Sequence, residues 1–168
     1  GCTITISDFV NAIEKAYNAA AESDVTAADT LKVAASTELT TADATADKDG
    51  SAKVSTTYFA AAVDADGKVV AASSDCLEVT FTFDTKGKST FDATKAVKTK
   101  KEYGSDYGMV AYGGASKEWF EQADAFETVV AGKTLDEVKA LVGAENKGSA
   151  EVIEAGCTIM INEFVDAI

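Results

Sequence analysis

Residues 77–83 read Leu77-Glu78-Val79-Thr80-Phe81-Thr82-Phe83, and this stretch decides the fold class. Apolar and polar side chains alternate through all of it, which is typical of a β-strand with one apolar and one polar face. Such a strand belongs to an antiparallel sheet that covers a core on one side. We therefore expect the apolar side of residues 77–83 to face that core.

The β pattern extends to both sides of this stretch. An earlier strand pattern occupies residues 52–63, and residues 64–67 and 85–88 have the composition of turns. A further short β run, residues 89–91, follows the second turn. We expect an antiparallel meander of three or four strands.

Three other stretches have helical spacing. The first begins at Ser7, the second follows Ser116, and the third follows a capping box formed by Thr134 and Glu137. We therefore expect an α+β fold, an antiparallel β-meander packed against two or three amphipathic helices. The apolar faces belong to Phe9, Val10, Ile13, Ala16 and Tyr17; to Trp119, Phe120, Ala123, Phe126 and Val130; and to Leu135, Val138, Leu141 and Val142.

The two ends of the chain carry nearly the same segment. Residues 1–13 read GCTITISDFVNAI and residues 156–168 read GCTIMINEFVDAI, with nine of 13 positions identical at an offset of 155 residues. A match this dense predicts a tandem repeat whose period is one domain. We expect residues 1–22 to be the tail of a preceding repeat, residues 23–51 a connector, and residues 52–168 the repeat domain.

The connector is poor in large apolar residues, and we expect one short helix in it near residues 26–34. The spare copy of the repeated segment has two interpretations. In one, it packs against a neighbouring unit and the cysteines add an inter-unit disulfide in an oxidising environment. In the other, it marks only where a repeat ends. The expected inter-unit contacts are Cys2, Ile4, Ile6, Phe9, Val10, Ile13 and Cys157.

The composition excludes several classes of function. All 15 basic residues are lysine, 28 residues are acidic, the formal net charge is −13, and neither His nor Arg is present. The chain therefore lacks histidine-based catalysis, histidine metal sites and arginine clamps. An acidic chain repels nucleic acid, and no run of 18 apolar residues is present to span a membrane. We expect no enzymatic activity, no nucleic-acid partner and no direct membrane insertion.

Two Asp-rich turns, residues 47–50 and 64–67, resemble calcium loops. An EF-hand needs a bidentate Glu six residues after its glycine, and those positions hold Thr56 and Ser73. Turn chemistry explains both stretches, so no metal site is expected.

Residues 92–115 have the pattern of a long loop in which Tyr103, Tyr107 and Tyr112 alternate with glycines. Phenol rings beside glycines offer a stacking surface for a planar ligand. The lysine cluster in residues 95–101 would meet a phosphate or the acidic face of a neighbouring unit. The alternative is a surface loop that one or two of the tyrosines anchor.

Four runs of the chain carry a resemblance, namely DGKVVAASSD, TKKEYGSDYGM, SKEWFEQADAFE and VAGKTLDEV. Together they resemble a group of exported clostridial and related Firmicute surface proteins that often carry repeated domains. The resemblance covers roughly residues 50–168, and it implies an extracellular or cell-surface location.

The ending EAGCTIMINEFVDAI is also similar to the close of FMN-binding domains of the respiratory flavoprotein type. There a Ser-Gly-Ala-Thr segment precedes a helix, and its Thr can carry FMN through a phosphoester bond. By this resemblance Thr158, or its counterpart Thr3, would be the attachment point. Ala155 and Cys157 stand where that family has Ser and Ala, and Val152 replaces an acidic residue. We therefore expect a fold retained without a cofactor, with bound FMN as the alternative.

Together these patterns predict a structural repeat unit of an exported bacterial cell-surface protein. Its partners would be neighbouring copies of the same repeat, joined head to tail into an array or fibre. The alternative is an FMN-carrying domain in extracellular electron transfer.

Overall fold

The computed structural model describes residues 3–19, 24–89, 91–92, 94–95 and 97–167. In this part of the chain, three long strands form one sheet, and short helices from the second half of the chain cover it. The elements are α1 (Ser7–Ala19), β1 (Thr30–Ala42), β2 (Gly50–Val63), β3 (Val69–Phe83), α2 (Lys100–Tyr103), α3 (Trp119–Val130), α4 (Leu135–Lys139), α5 (Ala150–Ala155) and α6 (Asn162–Asp166), with 3₁₀ turns at Gly104–Tyr107 and Ala144–Asn146.

The fold is α+β, as the alternating pattern predicts, and the sheet is an antiparallel meander in the order β1-β2-β3. The turn between β2 and β3 forms where its composition predicts it. There the Gly67 amide donates to the Asp64 carbonyl at 3.1 Å, and Gly67 has a φ of +79°, which favours glycine. Ser89 forms a single bridge with Phe83 rather than a fourth strand, and Thr90 lies outside the described residues.

Residues 30–42 form β1, so the expectation of a connector with a short helix near residues 26–34 is wrong for this stretch. β1 pairs with β2 along its whole length, with Leu39 opposite Val54 and Thr37 opposite Thr56. A strand of this kind is stabilised by its neighbour across the sheet. A search for local turn or helix signals does not detect that pairing.

The helices pack on the sheet face that carries Phe59. The ring of Phe59 meets Phe126 of α3 edge to face, with centroids 6.3 Å apart. On the same face, the backbone amide and hydroxyl of Ser74 both donate to the Glu127 carboxylate of α3, at 2.6 and 2.7 Å. These contacts place the core between α3 and this side of the sheet.

The apolar side of residues 77–83 lies on the opposite face, so the expectation that it faces the core is wrong. Cys76 is buried opposite Thr57 on the helix side, and strand geometry turns Leu77 to the other side. Leu77 and Val79 are left partly exposed.

The second copy of the repeated segment closes the core. Ile161, Phe164 and Val165 are buried, and the Phe164 ring stacks on Phe126 with centroids 5.4 Å apart. Residues 158–161 are irregular rather than strand-like, with a single bridge between Met160 and Lys147. α6 then begins at Asn162.

The first copy forms a helix but is not packed. α1 begins at Ser7, as its sequence predicts, and Ile4, Ile6, Phe9, Val10 and Ile13 are each more than half exposed. The same residue types that complete the core at the end of the chain therefore face solvent at its start.

Of the helices in the described ranges, none is both long and apolar enough to cross a membrane.

Candidate functional site: a cavity beside the second GCT segment

The Gly156-Cys157-Thr158 segment turns the chain sharply after α5. Gly156 has a φ of +101°, a backbone conformation that residues other than glycine rarely adopt, so the turn favours glycine. Cys157 is fully buried, and burial raises the pKa of its thiol to about 11. The thiol is therefore protonated and enclosed at neutral pH.

Gln122 holds Thr158 in place. The backbone amide and hydroxyl of Thr158 both donate to Gln122 Oε1, at 2.8 and 2.9 Å. The Gln122 amide in turn donates to the Lys117 carbonyl at 3.0 Å, and its side chain is buried in α3. This network ties the GCT segment to the helix layer.

A cavity of about 440 Å³ opens beside Thr158. Its volume lies within the range of small-molecule sites. Two sheet residues on the helix side contribute, and the rest of the wall comes from α2, α3, α6 and the loops between helices. The lining consists of Thr57, Cys76, Lys100, Tyr107, Met109, Trp119, Lys147, Thr158, Ile159, Met160, Glu163 and Phe164.

Lys100 is positioned by two aromatic rings and a carboxylate. Its ammonium lies 5.2 Å from the ring centroid of Tyr107, 5.4 Å from that of Trp119, and 3.4 Å from Glu78 Oε2. Burial lowers the pKa of Lys100, but Cys76, Tyr107 and Glu78 raise it by more, so its net direction is upward. Lys100 is therefore a fixed positive charge at the cavity wall.

The charge of the cavity differs from that of the whole chain. Two lysines, Lys100 and Lys147, and one carboxylate, Glu163, line it, in a protein whose formal net charge is −13. The Glu163 carboxylate already accepts a hydrogen bond from the Thr57 hydroxyl at 2.8 Å. The Lys100 ammonium beside Tyr107 and Trp119 suits a planar ligand that carries negative charge.

The structure brings together some of the predicted ligand residues and not others. Tyr107 and Thr158 line the cavity, whereas Tyr103 lines a neighbouring cleft, where the Lys98 ammonium lies 5.7 Å from its ring centroid. Tyr112 is 92% exposed, and Thr3 is exposed at the other end of the chain. Tyr107 is therefore the one tyrosine of the three that shares a wall with Thr158.

Sequence reasoning did not single out most of the wall residues, of which Trp119, Lys147 and Glu163 are three. Trp119 falls in the apolar spacing of α3, which predicts a core position and gives no sign of a cavity wall. Lys147 and Glu163 carry no local motif. Besides the signals that point to Tyr107 and Thr158, the cluster of lysines in residues 95–101 includes a wall residue, Lys100.

The expected inter-unit residues divide into two groups. Ile4, Ile6, Phe9, Val10 and Ile13 are exposed and available for contact. Cys157 is enclosed in the core of its own unit rather than presented to another one. Cys2 lies outside the described residues.

Comparison with protein-family models, curated proteins and solved structures finds no match to this chain.

Proposed function

We propose that this chain is a structural repeat unit of an exported bacterial surface protein, and that its units join head to tail through the GCT segment and the helix after it. In this arrangement residues 3–13 complete the core of the preceding unit, as residues 158–167 complete the core of this one. The observation that carries the proposal is that one repeated sequence is buried at one end of the chain and exposed at the other.

Three matched pairs of residues show this contrast. Ile161 is 0% exposed and its counterpart Ile6 is 54% exposed, while Phe164 is 3% and Phe9 is 59% exposed. Val165 and Val10 differ in the same direction. Burial of each large side chain is worth about 1.5–3 kcal/mol, so a core groove shaped for this sequence would hold residues 3–13 firmly.

α1 has the length to serve as the joint. Its 13 residues span about 20 Å, so its first turns can lie in one unit while its last turns lead toward β1 of the next. Lys15, in the second half of α1, forms an ion pair with Glu102 of this unit. The Lys15 ammonium, followed by the Thr99 backbone amide, lowers the pKa of Glu102. This contact supports a helix whose two halves belong to successive units.

The test is hydrogen exchange on a tandem protein in which Ile168 of one copy is followed directly by Glu14 of a second copy. The internal GCT helix should be protected, and the unpartnered N-terminal copy should exchange at the rate of an exposed helix. Fast exchange of the internal copy, or protection of residues 3–13 in the monomeric single unit, would contradict the proposal.

A matched control uses equivalent positions of the same tandem protein. Phe164→Asp in the first copy should remove protection from that copy's core, and Phe9→Asp should leave both cores protected. Equal effects of the two substitutions would show that the segment has no acceptor groove in the preceding unit.

The second candidate is a flavin-carrying domain, and the cavity beside Thr158 favours it. The cavity fits FMN by size and chemistry, because it offers aromatic rings, two ammonium groups and the Thr158 hydroxyl. Tyr107 and Trp119 would hold the ring system, and Lys100 and Lys147 would hold the phosphate. A bound flavin would supply electron transfer.

The flavin candidate is tested by FMN titration, followed by quenching of flavin fluorescence, and by the intact mass of protein purified from a flavin-loading host. Lys147→Ala should weaken FMN binding, whereas Lys139→Ala, at an exposed position of α4, should not. Absence of quenching together with an intact mass equal to that of the sequence would exclude both the non-covalent and the covalent form.

A further inference from the structure

The sheet has an outer face that the helices do not cover. Cross-strand partners share a face, so Leu39, Val54 and Val79 lie together in one row across β1, β2 and β3. α3 packs on the other face, through Phe59 and Ser74. We call the side of the sheet that carries Leu39, Val54 and Val79 the outer face.

The outer face carries most of the large apolar side chains of the sheet. On β1, Leu31, Val33 and Leu39 are 66–69% exposed. On β3, Leu77 and Val79 are half-buried, and the Phe91 ring lies against Phe81 at the end of the strand, with centroids 4.4 Å apart. An apolar patch of this extent on a folded chain marks an interaction surface.

The outer face is also nearly free of charge. Among the described strand residues on this side, Asp75 is the one charged side chain, and its carboxylate accepts hydrogen bonds from the backbone amides of Cys76 and Lys101. The helix side of the same strands carries Lys32, Glu38, Lys53 and Glu78. Because the formal net charge of the chain is −13, two copies repel each other least when these outer faces meet.

The area of the outer face is large enough for a stable dimer interface. Strands of 13 to 15 residues are about 43 Å long, and three strands are about 14 Å wide, so each face offers about 600 Å². Two such faces would bury about 1,200 Å² in total, which reaches the range of specific protein interfaces. Two antiparallel sheets pack in this way in β-sandwiches, about 10 Å apart.

We propose that a second copy of this unit docks on the outer face, sheet against sheet, so that the two sheets form a sandwich between chains. This contact is separate from the head-to-tail joint, which uses α1 and the opposite side of the sheet. A protein with both contacts would associate laterally as well as along its length.

The experiment is analytical ultracentrifugation of the full chain carrying Phe9→Asp and Ile13→Asp. These two substitutions place charges on the apolar face of α1 and so prevent that face from binding another unit. A dimer that still forms does not depend on the head-to-tail contact, so the two proposals can fail separately. This chain with Phe9→Asp and Ile13→Asp is the parent chain, and it should show a reversible monomer–dimer equilibrium with a Kd between about 1 μM and 1 mM. Its folding is checked by circular dichroism.

The matched variants change the two sides of β1. Val33→Lys with Leu39→Lys places two charges on the outer face and should reduce dimerisation at least tenfold. Ala34→Lys with Thr40→Lys places the same charges one residue further along the strand, on the helix side, and should leave dimerisation unchanged. All four positions are exposed in the single chain, so neither variant removes a core residue.

Three results would overturn the proposal. A parent chain that stays monomeric throughout this concentration range has no such contact. If the two β1 variants dimerise equally, the contact lies at the free edge of β1 rather than on the outer face of the sheet. Cosedimentation of the parent chain with neutral phosphatidylcholine vesicles, without dimerisation, would assign the face to a lipid surface.

Discussion

The Thr57 hydroxyl donates to Glu163 Oε2 at 2.8 Å and thereby ties the central strand of the sheet to the helix that ends the chain. Thr57 is buried, and Glu163 lies at the cavity wall two residues beyond Ile161. The bond joins residues 106 positions apart in sequence, so it reports directly on whether the second GCT segment is seated.

A double-mutant cycle measures this bond. Thr57→Val and Glu163→Gln should each lower the free energy of unfolding by about 1–2 kcal/mol, because a hydrogen bond to a charged group is lost or weakened. The double variant should lose less than the sum of the two, with a coupling of at least about 0.5 kcal/mol in urea denaturation. Strict additivity would mean that the two side chains do not interact in solution.

Phe164→Ala and Phe9→Ala should differ strongly in stability. The first removes a ring from a closed core and should lower the free energy of unfolding by about 3–5 kcal/mol. The second trims a side chain that is 59% exposed and should change it by no more than about 0.5 kcal/mol. Urea denaturation of the two proteins provides the comparison, and similar losses would show that α1 packs within its own unit.

Gln122 should matter more than an ordinary helix residue. Gln122→Leu removes the acceptor for two Thr158 donors and should cost about 1–3 kcal/mol, with faster hydrogen exchange at the Thr158 amide. Gln122→Glu keeps the acceptor oxygens and should preserve more of that protection. If Gln122→Leu exchanges at the wild-type rate, the network does not hold the GCT segment.

The Cys157 thiol should resist chemical modification in the folded protein. Burial raises its pKa to about 11, so between pH 7 and 9 it stays protonated, and a disulfide reagent should label it only after unfolding. Cys2→Ser with Cys76→Ser leaves Cys157 as the sole thiol for this assay. Labelling of native protein at the rate of a free thiol would place Cys157 at the surface.

The raised pKa of Cys157 also makes the free energy of unfolding depend on pH. In the unfolded chain the pKa of the thiol is near 9.0, whereas in the folded chain it is about 11. Stability from this group is therefore present below the unfolded pKa and is lost as pH rises toward the folded value. Cys157→Ala should flatten this loss between about pH 9 and 11, as measured by urea denaturation at each pH.

Features set by neighbours in sequence were predictable. The turn at residues 64–67 depends on Asp and Gly chemistry within four residues, and the capping box of Thr134 and Glu137 forms as its spacing predicts. The buried face of α3 follows from its helical period at Trp119, Ala123, Phe126 and Val130, whereas Gln122 is buried and Phe120 is only partly so. The repeat can be detected without a structure, because it is found by comparing residues 1–13 with residues 156–168.

The cavity was predictable only in part. The resemblance to FMN-binding domains points to Thr158, and the alternation of tyrosines and glycines points to Tyr107. The wall also includes Trp119, Lys147 and Glu163, which come from separate elements. No spacing rule connects residues that meet only after the sheet and helices pack. Tyr112 fits the same pattern as Tyr107 and is nevertheless exposed, since the turn at Gly108 separates them.

By itself, then, the sequence determined that residues 77–83 form a strand with one apolar face and that the ends of the chain repeat. The tertiary structure decided which face the helices cover, because α3 packs through Phe126 and Glu127 on the side that carries Phe59 and Ser74, and Leu77 points to the other side. The tertiary structure also decided which of the two GCT copies is buried. Their sequences are nearly equal, so the burial of one and the exposure of the other follow from the groove that each end of the chain does or does not meet.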